Sequence, residues 1–135
     1  MRQIDKIIIH CSATPEGRDV KTEEIRRWHI EERGWSDIGY HYVVELDGSV
    51  NMGRHTDSIG AHTRGENTGS IGICYVGGMD ANMELAKDTR TEAQKKGLRC
   101  LISDLKKKYG TLTIHGHNEY STKECPSFNV DTESY

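Results

Sequence analysis

Two short segments, residues 4–11 and 70–76, carry apolar side chains at consecutive rather than alternating positions: Ile7-Ile8-Ile9 in one, Ile71-Gly72-Ile73-Cys74-Tyr75-Val76 in the other. A strand with one wet face alternates apolar and polar residues, whereas one that is apolar throughout lies in mid-sheet with both faces covered. The covering elements are legible too. Thr22 can cap a helix whose Ile25, Trp28 and His29 share a face and which Gly34 stops. Thr91-Glu-Ala-Gln94 has the capping-box pattern, and Leu98, Leu101, Ile102 and Leu105 follow at helical spacing until Tyr109-Gly110. Residues 40–46 and 49–52 read as strands joined by a two-residue turn at Asp47-Gly48, and residues 112–115 as a last short strand. Strands alternating with helices predict an α/β (α+β) fold, a single central mixed β-sheet flanked by helices.

At 135 residues the chain is read as one domain, 1–135. The formal charge of −3 supplies no basic field, so neither nucleic acid nor an anionic membrane is an expected partner. Membrane insertion is excluded, because no apolar stretch approaches the ~18 residues of a spanning helix. The first ten residues read as a strand and not as a secretion signal, so the expected site of synthesis and residence is cytoplasmic, and a monomer is expected.

Cys11, Cys74, Cys100 and Cys125 form no Cys-x-x-Cys pair, and a zinc ribbon or thioredoxin motif is therefore unavailable. Cys74 lies in an apolar run and Cys100 in an amphipathic helix, so both read as core packing. Cys125 differs, with Lys123 before it and Pro126 after it. His10 ends the first strand, and His117 stands eight residues before Cys125 across a loop. The three could make a zinc site with its fourth position open, provided the first and last strands are neighbours. His10 also has a plainer reading as a packed strand-end histidine, and the same holds for His115, which shares a strand face with His117 if the strand continues that far. Cys11 should point away from His10. Residues 53–69 lack periodicity and are rich in Gly, His, Thr and Asn, which reads as a functional loop.

The segments His10-Cys-Ser-Ala-Thr14, Ile25-Arg-Arg-Trp-His29, Gly34-Trp-Ser-Asp-Ile-Gly-Tyr-His41, Gly60-Ala-His-Thr-Arg-Gly-Glu-Asn67, Ser70-Ile-Gly-Ile-Cys74, His117-Asn-Glu119 and Lys123-Glu-Cys-Pro-Ser-Phe128 resemble, in order, the type-2 N-acetylmuramoyl-L-alanine amidases. Within that family the phage lysozymes are the more similar and the peptidoglycan recognition proteins the more distant. The resemblance implies one Zn2+ held by His10, His117 and Cys125, with Tyr40 and Lys123 completing the catalytic set. It implies hydrolysis of the amide between N-acetylmuramic acid and L-alanine, in an endolysin of phage type acting on peptidoglycan or muropeptides. The other reading is a non-catalytic peptidoglycan-binding module; retention of Cys125 favours hydrolysis. Arg54, Arg64, His62 and Asn67 are expected to line the groove, the arginines meeting stem-peptide carboxylates and His62 bonding the peptide backbone. Glu119 is expected to orient a histidine ligand, and Trp28 and Trp35 to pack the first helix.

Overall fold

The computed structural model describes residues 2–133 and 135. Its main sheet has five strands: β1 (Lys6–Cys11), β3 (Tyr42–Val44), β4 (Val50–Met52), β5 (Ser70–Tyr75) and β7 (Thr113–Gly116), in the order β4-β3-β5-β1-β7. β1 is parallel to both β5 and β7, β3 is parallel to β5, and only the edge strand β4 is antiparallel. The two segments with unbroken apolar patterns are thus the second and third strands inward from the β7 edge, adjacent and buried from Ile7 to Cys11 and from Ser70 to Tyr75. A pair of two-residue strands, β2 (Thr14–Pro15) and β6 (Gly78–Met79), forms a separate parallel bridge that the sequence pattern does not announce.

Alternation sorts the strand side chains between two faces. Ile7, Ile9 and Cys11 join Ile71, Ile73, Tyr75 and Val44 in a cluster covered by Leu98, Leu101, Ile102 and Leu105 of helix α2 (Glu92–Tyr109). Cys74 and Val43 face the other way, into a smaller cluster with Ile25, Val20 and Ile38, covered by helix α1 (Thr22–Glu31). At roughly 1.5–3 kcal/mol for each fully buried large apolar side chain, the four α2 residues make that helix the larger contributor. His10, one residue from both Ile9 and Cys11, is left on the α1 face, opposite Cys11 as alternation requires.

The capping box of α2 forms as read: Thr91 Oγ1 accepts from the Gln94 N–H at 3.0 Å, and Gln94 Oε1 accepts from the Thr91 N–H at 2.9 Å. Three local expectations are corrected. Thr22 is the first residue of α1 rather than its cap; its N–H and hydroxyl both donate to Glu45 Oε2, at 2.8 and 2.7 Å, so a carboxylate from the end of β3 satisfies the helix terminus. The hairpin turn is longer than two residues, because Glu45 still pairs with Ser49 and the Gly48 N–H closes a turn onto the Glu45 carbonyl at 2.8 Å. Gly48 alone takes a positive φ, +85°, and a Cβ there would also strike Ala93 of α2. Cys100 lies on the exposed side of α2, since Leu98, Leu101, Ile102 and Leu105 already define the buried stripe.

Candidate active site

The carboxyl ends of the parallel strands β1 and β7, with the loop after β7, meet the segment before β3 and the loop between β4 and β5. His10 is fixed there by the middle of the sheet and is only 1 % exposed. β7 stops at Gly116, and a 3-10 turn, His117–Glu119, swings His117 beside it, with ring centroids 4.6 Å apart. Cys125 arrives on a tightly pinned segment. Tyr75 donates to the Pro126 carbonyl at 2.6 Å, Ser127 Oγ donates to the Gly78 carbonyl at 2.8 Å, and Asn118 donates to the Phe128 carbonyl at 3.2 Å. Its sulfur accepts the Cys11 N–H at 3.1 Å and lies 3.9 Å from His10 Nδ1.

One donor atom from each of His10, His117 and Cys125 lies within 4.8 Å of the others. A tetrahedral zinc with bonds of about 2.0–2.3 Å needs donors roughly 3.5 Å apart, so a contraction of roughly 1 Å would bring the cluster to the required spacing. The donor chemistry fits as well. Burial, with His62, His117 and Lys123 nearby, holds His10 well below the usual histidine pKa, and burial with Lys123 lowers His117, so both imidazoles favour the neutral form that a metal requires. The adjoining Cys11 thiol and burial push the Cys125 thiol up, a shift that a cation would reverse. Its bond from the Cys11 N–H already favours the thiolate.

Around this cluster runs a groove of about 420 Å³ lined by side chains that include Tyr40, His62, Arg64, Asn67 and Lys123. The Tyr40 ring lies 5.2 Å from that of His10. Burial, and then the nearby thiols Cys74, Cys125 and Cys11, raise the Tyr40 pKa well above 10.0, so its hydroxyl keeps its proton and can donate. Arg64 is exposed at the rim, while Asn67 Oδ1 accepts the N–H groups of His62 and Thr63 at 3.0 and 2.8 Å and so shapes the loop. His62 is packed behind His10, with Nδ1 2.9 Å from His10 Nε2.

Other residues fall elsewhere. Arg54 is not among the groove's lining residues; its guanidinium donates to the carbonyls of Ile38, Ile59 and Asp37 at 2.9, 2.8 and 3.2 Å, tying two loops together. Glu119 braces the β7 terminus instead of a ligand: Oε2 accepts the Gly116 N–H at 2.6 Å and Oε1 pairs with His115 Nδ1 at 2.8 Å. Trp28 packs against the smaller core cluster, but Trp35 both packs on His29, at 4.8 Å, and lines the groove. His29, in the last turn of α1, and Arg33, in the turn just past its C-cap Glu32, also line it. Among the described residues the groove presents three cations, Arg33, Arg64 and Lys123, and no carboxylate, although the whole chain carries −3.

Residues 1–128 match the family described as N-acetylmuramoyl-L-alanine amidase. The endolysin of Klebsiella phage KP32 is 41 % identical over 129 residues, covering 96 % of this chain and 84 % of that one. Among solved structures, the N-acetylmuramoyl-L-alanine amidase LysC from Clostridium intestinale superposes with a TM-score of 0.78 at 29 % identity, covering 95 % of this chain and 79 % of that one. A variant of Drosophila PGRP-LB in complex with tracheal cytotoxin gives 0.75 at 27 %, covering 93 % and 76 %. Fold, site and sequence agree, and the chain belongs to the N-acetylmuramoyl-L-alanine amidase family.

Proposed function

We propose that this amidase is a zinc-dependent endolysin in which His10, His117 and Cys125 hold the metal, and Tyr40 and Lys123 serve the reacting amide. The observation that carries the reading is the three-donor cluster at the floor of a cationic groove. Two neutral imidazoles and a thiolate would leave the site with a net positive charge. Bound there, zinc would activate water near neutral pH and polarise the amide carbonyl. Everything else falls to the chain's own groups. The Tyr40 hydroxyl, kept protonated by burial, donates to the oxygen on which negative charge develops. Lys123, exposed at the mouth, stands on the same segment as Cys125 and supplies a second donor and positive charge.

The preferred substrate is the amide between the lactyl group of N-acetylmuramic acid and L-alanine. Arg64 and Arg33 suit the carboxylates of a stem peptide, and the complex of the PGRP-LB variant with tracheal cytotoxin supports muropeptide recognition by this fold. The likeness to phage endolysins supports lysis as the setting. Among the described residues no helix is long and apolar enough to cross a membrane. Metal content provides the test. Purified protein should carry one zinc per chain, lose amidase activity on chelation and regain it with zinc. Full activity of a zinc-free preparation would refute the reading.

A further inference from the structure

Both ring nitrogens of His62 are within hydrogen-bonding distance of protein groups, an arrangement at odds with a residue that reaches for substrate. Nε2 lies 3.4 Å from Ser70 Oγ, and Nδ1 lies 2.9 Å from His10 Nε2 and 3.0 Å from Thr63 Oγ1. Thr63 Oγ1 is in turn 3.1 Å from His10 Nε2, which closes a triangle.

The direction of these bonds can be read inward from the far end. The Glu66 carbonyl can only accept, so Ser70 Oγ donates to it at 2.8 Å. Ser70 oxygen is then left to accept, and His62 Nε2 must carry the hydrogen. A neutral imidazole has only one, so His62 Nδ1 presents a lone pair to the triangle. That lone pair takes the hydrogen of His10 Nε2, directly or with Thr63 Oγ1 accepting from His10 and donating to His62. Either way His10 is protonated at Nε2 and bare at Nδ1, the nitrogen that faces the Cys125 sulfur at 3.9 Å.

The fold makes room for this ring deliberately. Gly72 interrupts the apolar run of β5, and a Cβ there would stand 2.5 Å from His62 Cδ2 and Cγ. A Cβ on Gly60 would meet His62 Cδ2 at 2.7 Å. A glycine inside a strand marks the close approach of another group, and here that group is the His62 imidazole lying on the sheet beside His10.

We propose that His62 is a positioning residue for the metal site, its Nδ1 terminating a hydrogen-bonded chain from the Glu66 carbonyl through Ser70 that locks His10 in the tautomer with Nδ1 free for the metal. The proposal rests on the assignment of His10 as a zinc ligand. Partners of this kind typically change metal affinity 10–100-fold when removed.

The test uses the full chain without substrate. Zinc affinity, read by competition with a chromophoric chelator, should weaken roughly 10–100-fold in His62→Phe, which keeps a ring but no acceptor. His62→Asn, whose carbonyl oxygen stands near the place of Nδ1, should recover most of the loss. In the zinc-loaded wild type, long-range 1H–15N correlations should show both His62 and His10 protonated on Nε2. A folded His62→Phe that binds zinc within twofold of wild type would overturn the proposal, as would a His62 protonated on Nδ1, a readout that stands even where the variant does not fold. Weakening in Thr63→Val with none in His62→Phe would also overturn it, by giving the role to Thr63. A wild type that takes up no zinc is a different result, defeating the metal assignment itself.

Discussion

Tyr40 shows how much one side chain is asked to do. Its ring is half-buried beside that of His10 and its hydroxyl stays protonated, so Tyr40→Phe removes a donor and leaves the His10, His117 and Cys125 cluster in place. Loss of one such donor costs about 10²–10³ in kcat. Steady-state kinetics on a soluble muropeptide should show that drop with KM little changed and zinc content unaltered. Arg64→Ala should act in the opposite sense, raising KM severalfold at nearly constant kcat, because an exposed rim cation contributes binding more than chemistry. His10, His117 and Cys125 stood out in the sequence because each sits at a nameable boundary, a strand end or a proline-marked turn, and it was the resemblance that joined them into one candidate metal site. The role of Arg54 was not legible there, since a guanidinium that binds a substrate carboxylate and one that binds three backbone carbonyls look alike in one dimension. His62 does line the groove, but only the sheet shows that Gly72 opens a slot for its ring beside His10.

At the level of elements, the strongly patterned pieces were legible and the joints between them were not. β1, β5 and α2 follow directly from apolar patterns, whereas the Glu45 cap on α1 depends on a contact 23 residues away. Gln94 has a local and a non-local role. It completes the capping box of α2, and its Nε2 donates to the carbonyls of Val44 and Val76, at 3.3 and 2.9 Å, where β3 and β5 end. Gln94→Leu would leave the buried Val76 carbonyl and the Thr91 N–H short of partners, while the Val44 carbonyl keeps the Val76 N–H, at a cost of about 2 kcal/mol in urea unfolding. Two histidines hold the elements around the groove in the same way. His29 Nδ1 accepts the Gly39 N–H at 2.9 Å, and His41 Nδ1 accepts the Gly72 N–H at 3.1 Å. Both are pushed down from 6.5 to about 4, chiefly by burial, with Arg33 and Arg54 adding to the shift of His29 and Arg2 and Arg54 to that of His41. The sign follows: the folded state holds them neutral while the unfolded chain takes up the proton, so their stabilisation is complete above pH 6.5 and is lost as pH falls toward 4. Thermal scans should show Tm declining across that interval, less steeply in His41→Gln. An unchanged slope in His41→Gln would show that His41 does not contribute.

For the molecule as a whole, the C-terminal segment that carries Cys125 must be held against the sheet. Arg90, buried, does much of this: its guanidinium lies 3.5 Å from the Phe128 ring centroid, pairs with Asp88 and Glu133 at 2.8 and 2.7 Å, and donates to the Tyr135 hydroxyl at 3.1 Å. Because both carboxylates are about a third exposed, Arg90→Leu should cost about 2 kcal/mol, below the range for breaking a fully buried pair. Chemical unfolding would measure it. The distribution of charge is the other whole-molecule property, an acidic chain whose active groove is cationic, suited to an anionic substrate without general affinity for polyanions. The central claim is that this groove cleaves the muramoyl–alanine amide by means of the His10, His117 and Cys125 cluster. The direct measurement is mass spectrometry of cell-wall sacculi incubated with the zinc-loaded protein and with Cys125→Ser. The account predicts stem peptides with free L-alanine amino termini and muramic acid with free lactyl carboxyls from the wild type, and neither from a folded Cys125→Ser. Intact linkages after incubation with the zinc-loaded wild type, or full cleavage by Cys125→Ser, would contradict it.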